Sequence, residues 1–108
     1  MRDELNKNKA NDNECLVLNI DESSNEGTHW TCLFIQNGVC VYFDSFGFPP
    51  PVEVEQYCNQ LSERHYNSDR IQKFGQVICG HLCIYVLYRL SNGFDFYSVL
   101  DELYRYNN

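Results

Sequence analysis

Asn37-Gly38 stands between two runs suited to β-strands, Trp30–Gln36 and Val39–Phe43. An Asn-Gly pair supplies the positive φ at both central positions of a type I′ turn, whose twist matches that of the strands it joins. The segment therefore reads as an antiparallel hairpin, and its open end carries His29 and Asp44. Position 29 lies eight residues before Asn37 and position 44 six residues after Gly38, so the two are near-opposite. They can make the imidazole–carboxylate hydrogen bond that fixes the tautomer and orientation of a general base. Taken singly, His29 could be a solvent-facing strand end and Asp44 a turn former ahead of Ser45-Phe46-Gly47. Their joint placement at one end of one hairpin is less easily explained that way.

Around this hairpin the chain reads as α+β, a small antiparallel sheet with helices packed on it. Residues 1–13 are polar and rich in Asn, Lys and Asp, and read as a disordered or loosely attached segment preceding one domain over residues 14–108. Residues 15–20, nearly all apolar, read as a strand buried on both faces. Residues 21–27 are a loop of turn-forming types. Pro51, with Glu53 and Glu55 close behind, suits a helix N-terminus, and that helix is expected to run to about Arg64. A polar loop over residues 65–69 and a short strand over 70–72 follow. From Cys79 onward, Leu82, Cys83, Val86 and Leu90 recur at the spacing of a buried helix face, with Gly93 placed as its C-cap. A weaker helix covers residues 96–106. There is no internal repeat.

A chain of 108 residues is one domain with a modest core, 44% hydrophobic and 15% aromatic. The formal charge of -7 supplies no basic face, which argues against nucleic acid as a partner. No apolar stretch approaches the ~20 residues of a membrane span. Six cysteines are present, but residues 1–13 have no apolar signal region and several of the cysteines sit inside apolar runs. A reduced, intracellular protein is the expectation. A metal reading of Cys79, His81 and Cys83 fails because residues two apart on a helix point away from each other.

Cys79 opens the apolar helix, where the dipole and the free N–H groups of the first turn lower a thiol pKa and can hold an oxyanion. The plain alternative is one more buried cysteine, and Cys83, one turn further in, reads that way. Gly80 permits close approach of another backbone. Trp30 is either a core aromatic or a ring covering the imidazole. His65 falls in the polar loop and His81 on the helix exterior, neither with a comparable partner. An oxyanion hole often includes a side-chain amide. Gln72 and Gln76 both precede Cys79, and Gln72, at the end of a candidate strand, is only slightly favoured by its setting.

These strings resemble the adenain-like and SUMO/ubiquitin-like-protein protease group of cysteine proteases, over roughly residues 14–100. The residues that carry it are His29-Trp30, Tyr42-Phe43-Asp44-Ser45-Phe46-Gly47, and Gln72 followed by Cys79-Gly80-His81-Leu82-Cys83, in the group's order of His, acid, Gln and Cys. The resemblance looks strongest to the small enzymes of large DNA viruses and Polinton-type elements. It implies a papain-like fold of the adenain type with the nucleophile at the N-terminus of a central helix. Cys79 would be the nucleophile, His29 its base, Asp44 the orienting acid and Gln72 an oxyanion donor, since adenain's Gln precedes its Cys by the same seven positions. Trp30 would border the site. The implied activity is cysteine endopeptidase processing of precursor proteins at Gly-containing sites, as in virion maturation, inside the host cell or the particle. Alternatives are removal of a ubiquitin-like modifier and a non-catalytic, protein-binding relic. The expected partner is a polypeptide substrate, met by a monomer without cofactor. Adenain itself uses an activating peptide and DNA, and the acidic balance here gives the DNA no support. The chain is short for the group and lacks most of its N-terminal helical region, which helps build the substrate cleft.

Overall fold

The structure is a computed structural model that describes residues 13–19, 29–59, 61–68, 71 and 79–107, and for residues 79, 106 and 107 the backbone alone. Within them the element order is β1 (Asn13–Asn19), β2 (Trp30–Gln36), β3 (Val39–Phe43), α1 (Val52–Tyr57), β4 (Glu63–Tyr66), α2 (Cys79–Ser91) and α3 (Phe96–Asn107). The strands form one sheet in the order β1-β2-β3-β4. Asn37 (φ 52) and Gly38 (φ 79) both take positive φ, as a type I′ turn demands, and Gln36 faces Val39 across it.

The sheet is mixed, not antiparallel throughout. β1–β2 and β2–β3 are antiparallel, whereas β4 runs parallel to β3, with Val39 opposite Glu63 and Tyr42 opposite Tyr66. Parallel pairing needs a crossover of a dozen residues or more. The prolines and α1 provide it by returning the chain to the hairpin tip. There the Gly38 carbonyl accepts hydrogen bonds from the N–H groups of Ser62 (3.0 Å) and Glu63 (3.3 Å). That anchor also accounts for the helix ending early. α1 stops at Tyr57 rather than near Arg64, and residues 63–66, expected partly in the helix and partly in a loop, are drawn into the sheet. Ile71 lies in no strand; the other two residues of the expected strand at 70–72 fall outside the described residues.

β1 also departs from expectation. It begins at Asn13, pairs with β2 alone as the edge strand of the described sheet, and over most of its length is buried on one face only. Leu16 and Leu18 point inward while Cys15 and Val17 are exposed.

The sheet is covered on both faces. On one, Leu18, Leu33, Ile35, Cys40 and Tyr42 pack with Val54, Tyr57 and Cys58 of the α1 region. On the other, Cys32, Val41 and Phe43 meet Leu82, Cys83, Val86 and Leu90 of α2 and Val99 and Leu103 of α3. Fully buried side chains such as Leu33 and Phe43 each contribute roughly 1.5–3 kcal/mol. α2 ends in a Schellman turn: Gly93 N–H donates to Leu90 O (3.0 Å) and Phe94 N–H to Arg89 O (3.2 Å). The Arg89 guanidinium lies 3.9 Å from the Phe94 ring centroid and bonds Glu102 at 3.0 Å, which fastens α3 to α2. No described helix is long and apolar enough to cross a membrane.

Candidate active site

His29 immediately precedes β2 and Asp44 immediately follows β3. The ladder ends at Cys32 opposite Phe43, so continuing its register sets Thr31 opposite Asp44 and His29 opposite Phe46. Asp44 is thus the diagonal neighbour of His29, within reach of a long side chain. The His29 Nε2–H donates to Asp44 Oδ1 at 2.8 Å, and the Phe46 ring stacks on the imidazole with centroids 4.4 Å apart and planes 16° from parallel. Phe46 is therefore a ring that covers the imidazole, a part sequence reasoning had offered to Trp30.

Both partners are buried, His29 at 6% and Asp44 at 1% exposure. A buried carboxylate must be paired and hydrogen-bonded to be tolerated. Oδ1 of Asp44 meets that need twice over, accepting from His29 and, at 2.8 Å, from the Phe46 N–H. The second bond is the Asx turn that shapes the Asp-Ser-Phe-Gly string. Gly47 closes it with a positive φ of 78 and an N–H donated to Asp44 O at 2.8 Å.

Asn67 was missed in the sequence. Its Oδ1 accepts from the Asp44 N–H (3.0 Å) and its Nδ2 donates to the Asp44 carbonyl (2.6 Å), so one buried amide grips the acid's main chain on both sides. A polar residue in a polar stretch carried no signal of this. Asn67→Ala leaves a buried N–H without its acceptor and is expected to cost about 1–3 kcal/mol, read as a lower denaturant midpoint at unchanged m-value. Asn67→Asp, which keeps the acceptor but sets a carboxylate oxygen against the Asp44 carbonyl, should not rescue it.

The helix that opens with Cys79 comes close to the His29–Asp44 pair through its first turn. α2 begins at Cys79. Its first turn lies against Trp30, the residue after His29: Trp30 Cδ1 is 3.8 Å from where a Cβ on Gly80 would stand, and Cys83 Sγ donates to the Trp30 carbonyl at 3.4 Å. Cys83 is fully buried, as a core cysteine should be. The Cys79 side chain, Gln72 and Gln76 lie outside the described residues. The described end of the preceding segment is tied to the acid's turn, with the Ile71 N–H donating to Ser45 O at 2.7 Å.

His65 has partners of its own, though exposed ones. Its imidazole bonds Glu63 and the Tyr97 hydroxyl, each at 2.8 Å. The Glu63 side chain is 63% exposed against 2% for Asp44, so water competes for the first pair and is kept from the second. His81 is exposed, as expected. Among the described residues no group of three or more His, Cys, Asp or Glu side chains is placed to hold a metal ion.

No family model matches the chain, and no curated protein matches it. Among solved structures, it is similar to the crystal structure of the ASFV pS273R protease, with a TM-score of 0.67 and 20% sequence identity. The match covers 86% of this chain and 42% of that one. The likeness is one of fold, and the chain spans less than half the length of the protease it matches.

Proposed function

We propose that the protein is a cysteine peptidase in which Cys79 attacks the scissile carbonyl and His29, oriented by Asp44, serves as its base. The observation that carries this reading is the buried bond from His29 Nε2–H to Asp44 Oδ1, beside the first turn of a helix that opens with Cys79. With Nε2–H donated to a carboxylate, Nδ1 is the nitrogen that takes the thiol proton. The thiolate adds to the carbonyl, and the Cys79 N–H with the Gln72 amide holds the oxyanion. The amine leaves with the proton from His29, and water then hydrolyses the acyl-enzyme. The fold shared with a solved protease supports peptide-bond chemistry as the reaction class.

The substrate in this reading is a precursor polypeptide cut at Gly-containing sites, as in the maturation of a viral particle, in the cytoplasm or nucleus of a host cell. An activating peptide of the adenain kind is compatible with it.

Alkylation at pH 6 tests the thiol directly, because an unactivated cysteine reacts slowly there. Iodoacetamide should modify Cys79 at least about tenfold faster than Cys15, which is exposed on β1 and serves as an accessible thiol in the same molecule. The advantage should vanish in His29→Ala. Equal rates at the two cysteines in the wild type would remove the basis for an activated nucleophile. A ubiquitin-like vinyl-sulfone probe then separates precursor processing from deconjugation, since it labels Cys79 only if a modifier docks.

A further inference from the structure

A second pair of functional groups lies on the opposite side of β3 from α2. The sulfurs of Cys40, in β3, and Cys58, at the C-cap of α1, are 3.1 Å apart, and the two residues are 2% and 1% exposed. A disulfide bond is about 2.05 Å long, so bonding needs an approach of only about 1 Å. A cavity of about 340 Å³ is lined by both cysteines together with Tyr42, Glu55 and Arg64. The hydrogen bond between the two thiols holds Cys58 below the ordinary cysteine range. The same bond, with burial, pushes Cys40 up. The Arg64 guanidinium favours the thiolate form of each. With the sulfurs 3.1 Å apart and Arg64 in the cavity wall beside them, Cys58 can serve as the attacking sulfur and Cys40, in contact with it, as the resolving thiol.

We propose that Cys40 and Cys58 form a dithiol site that small-molecule disulfides of the glutathione class oxidise to an intramolecular disulfide. The Cys58 thiolate attacks one sulfur of glutathione disulfide, forming a Cys58–glutathione bond and expelling one glutathione thiolate, which takes up the proton that Cys58 lost. Cys40 then gives up its proton and attacks the Cys58 sulfur. The Cys40–Cys58 bond forms, the Cys58–glutathione bond breaks, and the second glutathione leaves as thiolate and is protonated. Two protein thiols are oxidised, and one glutathione disulfide is reduced to two glutathione thiols. The cavity is the route to the buried pair, and Arg64 in its wall matches the carboxylates of glutathione. The site uses neither Cys79 nor His29, so it stands or falls independently of the peptidase reading. The closed ring spans residues 40–58 and contains Asp44 and Phe46, so oxidation constrains the segment that carries the acid.

The test is a disulfide map of the full-length protein after native incubation with glutathione disulfide, acid quenching and alkylation of the remaining thiols. The expected result is a Cys40–Cys58 cross-linked peptide, a mass lower by two hydrogens at that peptide pair, and a melting temperature raised by on the order of 10 °C, reversed by dithiothreitol. Cys15, exposed on β1, reports that the reagent has acted. Recovery of Cys40 and Cys58 as alkylated thiols after Cys15 has been glutathionylated would overturn the proposal, as would a cross-link from either to another cysteine. Cys40→Ser, which removes the resolving thiol, should trap glutathione on Cys58 as a stable mixed disulfide. The wild-type map decides the matter even if a serine at either buried position prevents folding.

Discussion

Replacing Cys79 by alanine is expected to lower kcat/KM for cleavage of a Gly-Gly-containing reporter peptide by at least about 10⁴-fold while leaving the melting temperature nearly unchanged. The size follows from the chemistry: without a thiolate there is no acyl-enzyme, and only binding and oxyanion stabilisation remain. The nearly unchanged stability follows from the size of the change, because alanine keeps the Cβ, removes a single sulfur at the first residue of α2 and is the better helix former. Cys83→Ala makes the opposite pattern and is the control. Cys83 is fully buried, and its Sγ donates to the Trp30 carbonyl at 3.4 Å. Truncating it should cost about 1–2 kcal/mol of stability, by analogy with small core truncations, and leave most of kcat in the molecules that remain folded. Were Cys83→Ala inactive while folded, and Cys79→Ala active, the nucleophile would have been assigned one turn too early.

The parts of this molecule that were legible beforehand are those governed by local chemistry. Asn37-Gly38 announces its turn because few residue pairs tolerate positive φ twice in succession. The contact between His29 and Asp44 follows once that turn is drawn, since both residues sit at the open end of the same hairpin. Where burial depends on what packs from elsewhere, the sequence was misleading. Residues 15–20 look like a central strand, yet β1 lies at the edge of the sheet, and composition alone does not say which strand ends up there. β4 was invisible because Glu63-Arg64-His65-Tyr66 has no apolar alternation, and what recruits it is a main-chain carbonyl at Gly38. Asn67 was invisible for a related reason. Its role arises from an amide meeting the N–H and the carbonyl of one distant residue, which leaves no periodicity to read.

The Asp44 side chain supplies the sharpest test of the proposed role of His29 as base. Asp44→Ala removes the acceptor of both the His29 Nε2–H and the Phe46 N–H, two buried donors, and releases the imidazole to other tautomers and rotamers. Activity should fall by about 10³-fold or more. Asp44→Asn should behave differently. A triad asparagine is damaging when its NH₂ turns toward the imidazole and forces the wrong tautomer. Here one oxygen accepts from His29 and from the Phe46 N–H together, so the main chain holds the side-chain carbonyl in place and turns the NH₂ away. The tautomer survives, and what is lost is the extra strength of a charge-assisted bond over a neutral one, about 1–1.5 kcal/mol or roughly tenfold in rate. The measurement is kcat/KM for wild type, Asp44→Asn and Asp44→Ala at one pH, with circular dichroism to establish that all three are folded. An asparagine variant as impaired as the alanine variant would mean that the Phe46 N–H does not fix the orientation of residue 44. An alanine variant of wild-type activity would remove Asp44 from the mechanism altogether.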